Sequence, residues 1–218
     1  AKPVCLNWWY NQIGIPKTLG TVFILFEKQL TPVEKQNAIT VMENAKFGMT
    51  GQNKVWLAGN VMMRALLQND YELVKMARDT IASEIVTGGA EGIKDDWCFH
   101  QHGAQQQFGN YGLSFVSGMS FFSGLFSGTS LAFDDKQLSI LSTLIDKGYR
   151  WVIWKGMMDV NALGRQLFHH APVHKALSLA FAASELGGGE SDECVAVATA
   201  LLRDNYPCLL YTSDAADE

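Results

Sequence analysis

The segment from Cys98 to Gly112, Cys-Phe-His-Gln-His-Gly-Ala-Gln-Gln-Gln-Phe-Gly-Asn-Tyr-Gly, places His102 and Tyr111 nine residues apart among amides and glycines. A packed core disfavours so many Gln, His and Asn side chains, because each needs a hydrogen-bond partner once buried. Glycines at 103, 109 and 112 allow turns that a Cβ resists. Read alone, the stretch is a solvated loop. Cys98, His100 and His102 alternate as metal ligands can, but no second ligand pair stands at zinc-site spacing. Pro172 between His170 and His174 disfavours one regular helical face, so no metal centre is expected.

Three further segments carry recognition chemistry. Asn7-Trp8-Trp9-Tyr10 precedes Gly14 and Pro16. Three consecutive aromatics do not make an amphipathic stripe; they suit either stacking on sugar rings from a loop or anchoring that loop to a core. Asn53, in Thr50-Gly51-Gln52-Asn53-Lys54, lies where a helix begins. It reads as an N-cap, or as an amide facing an anion at the positive helix end. Arg165 closes Gly156-Met-Met-Asp-Val-Asn-Ala-Leu-Gly164-Arg165 and by itself reads as a surface charge.

The elements that must position these residues are helical. Apolar residues at 19, 22, 23, 26 and 30 form a 3.6-residue stripe over Thr18–Leu30. Thr31-Pro32 with Glu34 opens a helix to about Phe47. Further patterns cover Lys54–Leu67, Tyr71–Val86, 109–126, 135–147, 173–186 and 191–204, with Asp134-Asp135 and Ser191-Asp192 as N-terminal caps. Gly187-Gly188-Gly189 reads as a hinge. No sustained strand-type alternation occurs, and the helices recur in pairs without a fixed-period repeat. The expected class is all-α: a curved layer of helix hairpins, an incomplete α/α toroid whose loops line a groove.

The 218 residues suffice for one domain with a sizeable core. A net charge of −5 gives no support for nucleic-acid binding, so any anion recognition must be local. Four cysteines, at 5, 98, 194 and 208, show no redox or zinc-ribbon spacing. Gly103–Phe133 lacks charged residues, but its Ser and Gly content points to a buried helix packed through small residues rather than a membrane span.

Taken in order, the stretches NWWYNQIGIP, TGQNK to RALL, GIKDDWCFHQHG with GNYG, and GMMDVNALGR resemble the catalytic α-domain of polysaccharide lyase family 8, which holds hyaluronate, chondroitin AC and xanthan lyases. They run from Asn7 to Arg165. TGQNK to RALL looks most like the chondroitin AC branch. The resemblance implies an incomplete α/α toroid followed by β-sandwich domains, with this chain cut at both ends, in a secreted or periplasmic bacterial enzyme without cofactor, likened to a monomer acting on an acidic polysaccharide.

It also implies the catalytic set Asn53, His102, Tyr111 and Arg165. Trp8 and Trp9 position the polymer, with Asn7, Gln101 and His169 as further substrate contacts. The implied reaction is β-elimination at a uronic acid. Neutral donors, Asn53 and His102, hold the carboxylate while enolate-like charge develops. Tyr111 takes the α-proton and returns it to the leaving oxygen. A free Tyr has a pKa of about 10, so its phenolate needs support, and Arg165 supplies a cation.

His169 stands where the family has a second Arg, which alters the expected contacts to substrate or leaving group. Cys98 replaces a Ser common in the motif. Two other readings compete: a hydrolase, which needs two carboxylates and finds only Asp95, Asp96 and Asp159, and a non-catalytic glycan-binding module.

Residues 208–218, CLLYTSDAADE, resemble a translated sequencing-library adapter, which divides the chain into a native domain at 1–207 and a non-native tail. Without Asp214, Asp217 and Glu218 the balance is 17 basic against 19 acidic residues.

Overall fold

Thr31 starts a helix as its neighbours dictate. Its hydroxyl accepts from the Glu34 N–H at 3.3 Å while the Glu34 carboxylate accepts from the Thr31 N–H at 2.8 Å, a closed capping box. The computed structural model describes residues 5–187 and 192–205. The chain divides into two units, Ala1–Glu84 and Ile85–Glu218.

Among its described residues the first unit holds four α-helices: α1 (Ile15–Leu25), α2 (Pro32–Met42), α3 (Gly51–Gln68) and α4 (Tyr71–Ala82). A π-turn, Tyr10–Gly14, runs directly into α1. Pro16 falls in the first turn of α1, and because the π-turn before it is already helical, its missing N–H leaves the Gln12 carbonyl to another donor, Asn60 Nδ2 at 3.3 Å. α3 and α4 form a hairpin. Asn69 ends α3 in the left-handed conformation at φ 55°, and Asp70 caps α4 by accepting from the Leu73 N–H at 3.0 Å. Ala38, Ile39 and Leu67 are buried together, with Phe23 and Ile24 against them.

The second unit begins with a two-residue antiparallel pair. β1 (Gly92–Ile93) meets β2 (Phe99–His100), with Gly92 opposite His100 and Ile93 opposite Phe99. A π-turn, Phe108–Gly112, leads into α5 (Leu113–Phe126). α6 (Asp135–Thr143) starts at an Asp134–Gln137 capping box and ends in a third π-turn, Leu144–Gly148. A hairpin of β3 (Ile153–Trp154) and β4 (Met157–Met158) precedes α7 (Ala171–Gly187) and α8 (Asp192–Asn205). α7 packs on both α5 and α8.

The all-α expectation holds, and every predicted helix is present with shifted ends. The first helix begins at Ile15 rather than Thr18, because the turn upstream is already helical. The second stops at Met42, before the positive-φ pair Gly48 and Met49. The fourth stops at Ala82, where Glu84 turns away to hold Gly51 and Lys54.

α5 corrects another expectation. It buries Leu113, Phe115, Val116, Met119 and Phe126, but Phe121 and Leu125 are exposed. A Cβ on Gly118 or Gly124 would meet nothing within 4 Å, so these small residues serve no close helix approach. At 14 residues α5 is about 21 Å long, short of a bilayer core. Among the described residues no helix is long and apolar enough to cross a membrane. The Ser191 cap, the glycines at 188 and 189, and the 208–218 tail lie outside the described residues.

Candidate active site

In the first unit, the aromatic segment is helical rather than a loop. Asn7 starts it by accepting from the Trp9 N–H at 2.9 Å. Buried Asn60 on α3 then holds the π-turn, donating to the carbonyls of Gln12 and Ile13 at 3.3 and 3.1 Å. Trp8 is 42% exposed. Half-buried Trp9 packs edge-on against Tyr10 and Trp56, at 5.4 and 5.8 Å between ring centroids. The tandem therefore divides its work: Trp9 anchors and Trp8 presents a face.

Asn53 is not the N-cap that its position suggests. Thr50 is the N-cap, and Asn53 sits three residues into α3. The helix starts early because Gly51 takes φ 58° and gives its N–H to the Glu84 carboxylate at 2.7 Å. Lys54 pairs with the same carboxylate at 2.8 Å. An anion thus already sits at this helix end, as the dipole favours. Asn53 is 6% exposed, and among the described residues its Oδ1 meets no hydrogen-bond partner. A buried amide oxygen left so is costly and calls for a reason.

In the second unit, the segment from Cys98 to Gly112 is only half a solvated loop. Gln101 and Gln107 are 2% and 3% exposed, while His102 is exposed. Glu91 pins the turn: one carboxylate oxygen accepts from Gln101 Nε2, and the other from the Gly103 N–H at 2.8 Å. Between those anchors His102 is held at φ 60°, a region that non-glycine residues visit rarely.

Of the three glycines, only Gly103, at φ 75°, serves a turn. Gly109 and Gly112 serve close packing. A Cβ on Gly109 would fall 2.6 Å from Leu163 Cα, and one on Gly112 2.6 Å from Tyr149 Oη. Buried Tyr149 donates to the Phe108 carbonyl at 3.0 Å, closing the π-turn from below.

The Gly109–Leu163 contact brings the 162–165 loop onto the π-turn, and with it Arg165. Arg165 Nη2 donates to Tyr111 Oη at 3.0 Å and lies 3.4 Å from His102 Nε2. Its guanidinium carbon is 5.6 Å from the Tyr111 ring centroid, and the His102 and Tyr111 rings meet edge to face at 5.0 Å. Phenol, imidazole and guanidinium thus converge from positions 54 and 63 residues apart in sequence. Tyr111 is 8% exposed, and its two partners, His102 and Arg165, are exposed.

His169 is exposed, with Nδ1 3.2 Å from His170 Nε2. Cys98 Sγ lies 3.2 Å from His100 Nε2, but burial, aided by the Asp96 carboxylate, pushes the thiol up to about 12. It is a neutral thiol, not a nucleophile. Among the described residues no group of three or more His, Cys, Asp or Glu could hold a metal ion.

Two residues of this neighbourhood escape a reading of the sequence. Glu91 looks like a loop charge, and Lys175 looks like a polar position on a helix. Lys175 is 5% exposed, and its ammonium donates to the Gly109 carbonyl and, at 2.8 Å, to Gln166 Oε1. No local pattern marks either one, because their partners lie on other segments.

Comparison with known proteins adds an independent line. Residues 2–186 match the model of the polysaccharide lyase family 8, N terminal alpha-helical domain. Chondroitinase-AC from Pedobacter heparinus is 30% identical over 170 residues, covering 76% of this chain and 24% of that protein. The solved Paenibacillus xanthan lyase superposes with a TM-score of 0.80 at 25% identity, covering 97% of this chain and 21% of that one. A chondroitinase AC lyase solved in oligosaccharide complexes gives 0.78 at 26% identity, over 94% of this chain and 31% of that one. The chain spans about a quarter of the length of the curated relative and the xanthan lyase.

Proposed function

We propose a function from one premise: the chain belongs to polysaccharide lyase family 8. It supplies the helical catalytic part of an enzyme that cleaves uronate-containing polysaccharides, of the chondroitin or hyaluronan kind, by β-elimination. The observation that carries this reading is the Arg165–Tyr111 contact of 3.0 Å with His102 beside it. A buried phenol held against an exposed guanidinium suits a proton shuttle better than a packing role.

The chemistry divides among these groups. The hydrogen α to the uronate carboxylate is a weak acid while that carboxylate is charged. Hydrogen-bond donors on the carboxylate spread the enolate-like charge as the proton leaves. His102 is the donor in the second unit. Asn53 takes the same work through the family resemblance, and its buried amide oxygen, which accepts no hydrogen bond among the described residues, supports a role beyond packing.

Tyr111 enters the step as the phenolate, with the Arg165 guanidinium beside it as counter-charge, and its Oη accepts the α-proton. The electron pair left behind forms the carbon–carbon double bond, and the glycosidic carbon–oxygen bond breaks. The same proton then returns to the leaving oxygen, so no water is consumed. Arg165 offsets negative charge on Oη and on the departing oxygen in turn. One group acting as base and then acid requires both atoms on one side of the sugar ring, a syn elimination. Trp8 offers its exposed face to the polymer, Asn7 and Gln101 shape the surrounding turns, and exposed His169 contacts the substrate's outer groups. Because such substrates are extracellular, the enzyme acts outside the cytoplasm.

The test is the product. With chondroitin or hyaluronan as substrate, the full-length protein carrying this chain releases an unsaturated uronate with its ultraviolet absorbance. Reducing ends without that chromophore mean hydrolysis, and binding without either means a glycan-binding module. Tyr111→Phe abolishes the chromophore and leaves substrate binding within about threefold, since only the proton-carrying oxygen is lost. Near-normal turnover by that variant removes Tyr111 from the role.

A further inference from the structure

Lys175 is a buried charge that the chemistry above leaves without a purpose. It lies in the first turns of α7 and is 5% exposed, although lysine is among the residues least often buried. Burial pushes its pKa below the usual lysine value. Among the described residues its acceptors are the Gly109 carbonyl and Gln166 Oε1, both neutral. Desolvating an ammonium is costly. A hydrophobic side chain of similar length would fill the same volume without that cost.

The identity of the acceptors supplies a reason. Gly109 belongs to the π-turn that carries Tyr111, two residues before it. Gln166 follows Arg165 directly. One ammonium therefore ties the backbone beneath the phenol to the loop bearing the guanidinium. It does so where the two segments already touch, since Gly109 lacks the space for a Cβ against Leu163 and the Ala162 carbonyl. A point charge with three donors can serve two acceptors on separate segments, which an apolar side chain cannot.

We propose that Lys175 is a positioning residue for the elimination, fixing the approach of Arg165 Nη2 to Tyr111 Oη. It touches neither substrate nor the reacting atoms. The proposal rests on the lyase reading above, and the experiment separates the two.

Lys175→Met and Lys175→Arg are made in the full-length protein, labelled with tyrosine carrying ¹³C at Cζ, and the Tyr111 resonance is identified by its loss in Tyr111→Phe. Lys175→Met is expected to lose about ten- to a hundredfold in kcat, the order that a displacement of about 1 Å produces, with KM within about threefold and the Tyr111 resonance shifted. Lys175→Arg, which keeps cationic donors, recovers most of kcat and returns the resonance toward its original place. A folded Lys175→Met with unchanged kcat, or with an unmoved Tyr111 resonance, overturns the proposal. So does a loss of activity that only follows a loss of folded protein. If Lys175→Met fails to fold, Lys175→Arg decides: a folded Arg variant that recovers neither the rate nor the resonance overturns it. If the parent protein yields no unsaturated uronate, the lyase reading falls, and the resonance alone reports whether Lys175 sets the tyrosine.

Discussion

Asn53 and Tyr111 are both buried polar residues, 6% and 8% exposed, on opposite kinds of backbone. Asn53 rides on the first turn of an 18-residue α-helix. Its surroundings are fixed by regular hydrogen bonding and by Glu84 at the helix start. Tyr111 rides on a five-residue π-turn, and its contacts come from Arg165, 54 residues on. Around it the backbone departs from common conformations at Trp97, His102, Gly103 and Gly164. The regular helix holds one group with little strain. The irregular turns bring three groups to one point, and they stay there only because buried partners over-determine them. A helix-mounted group should therefore be replaceable without loss of fold, and a turn-mounted cluster should be sensitive to residues that never touch the substrate.

Three substitutions press on that contrast. Arg165→Ala is expected to have the largest effect, about a hundred- to a thousandfold in kcat, as for loss of a group that stabilises developing charge. Because Arg165 is exposed, its thermal midpoint should stay near that of the parent. Steady-state rates and melting curves on the same preparation check both halves, and a large loss of stability would mean that the guanidinium holds the fold.

Asn53→Ala should cost about a hundredfold in rate while leaving stability equal or raising it by about 1 kcal/mol, since it removes a buried oxygen that has no partner among the described residues and places a better helix former in α3. Chemical denaturation measures the second effect. A clear destabilisation would show that Asn53 is a packing residue and would erase the contrast with Tyr111.

Glu91→Ala should show the smallest rate effect, about tenfold, coupled to a stability loss of about 1–3 kcal/mol, because it removes the carboxylate to which the Gly103 N–H and the buried Gln101 amide both donate. Glu91→Gln, with one acceptor oxygen left, should recover much of both. Equal rates in the parent and Glu91→Ala would show that the His102 turn holds its shape without the carboxylate.

Some of this was legible before any coordinates. Thr31 and Asp134 cap helices where their types and neighbours require, because a cap is a bond between residues two or three apart. Membership of the family was legible from four short stretches, and the matched model spans most of the chain. The π-turns were not legible. Two of them are held by side chains distant in sequence, Asn60 for Tyr10–Gly14 and Tyr149 with Lys175 for Phe108–Gly112. The same reason hid the helical state of Trp8 and Trp9, the Glu84 carboxylate at α3, and the packing use of Gly109 and Gly112.

The sequence by itself determined the helical class, the capped helix starts and the residue types that could carry the chemistry, since these depend on periodicity and on bonds between near neighbours. Only the tertiary structure decided which of those residues meet. Tyr111, His102 and Arg165 converge because a glycine without a Cβ, a buried tyrosine and a buried lysine bring distant segments into contact. Such contacts depend on shape and burial in three dimensions, which the order of residues along the chain does not display.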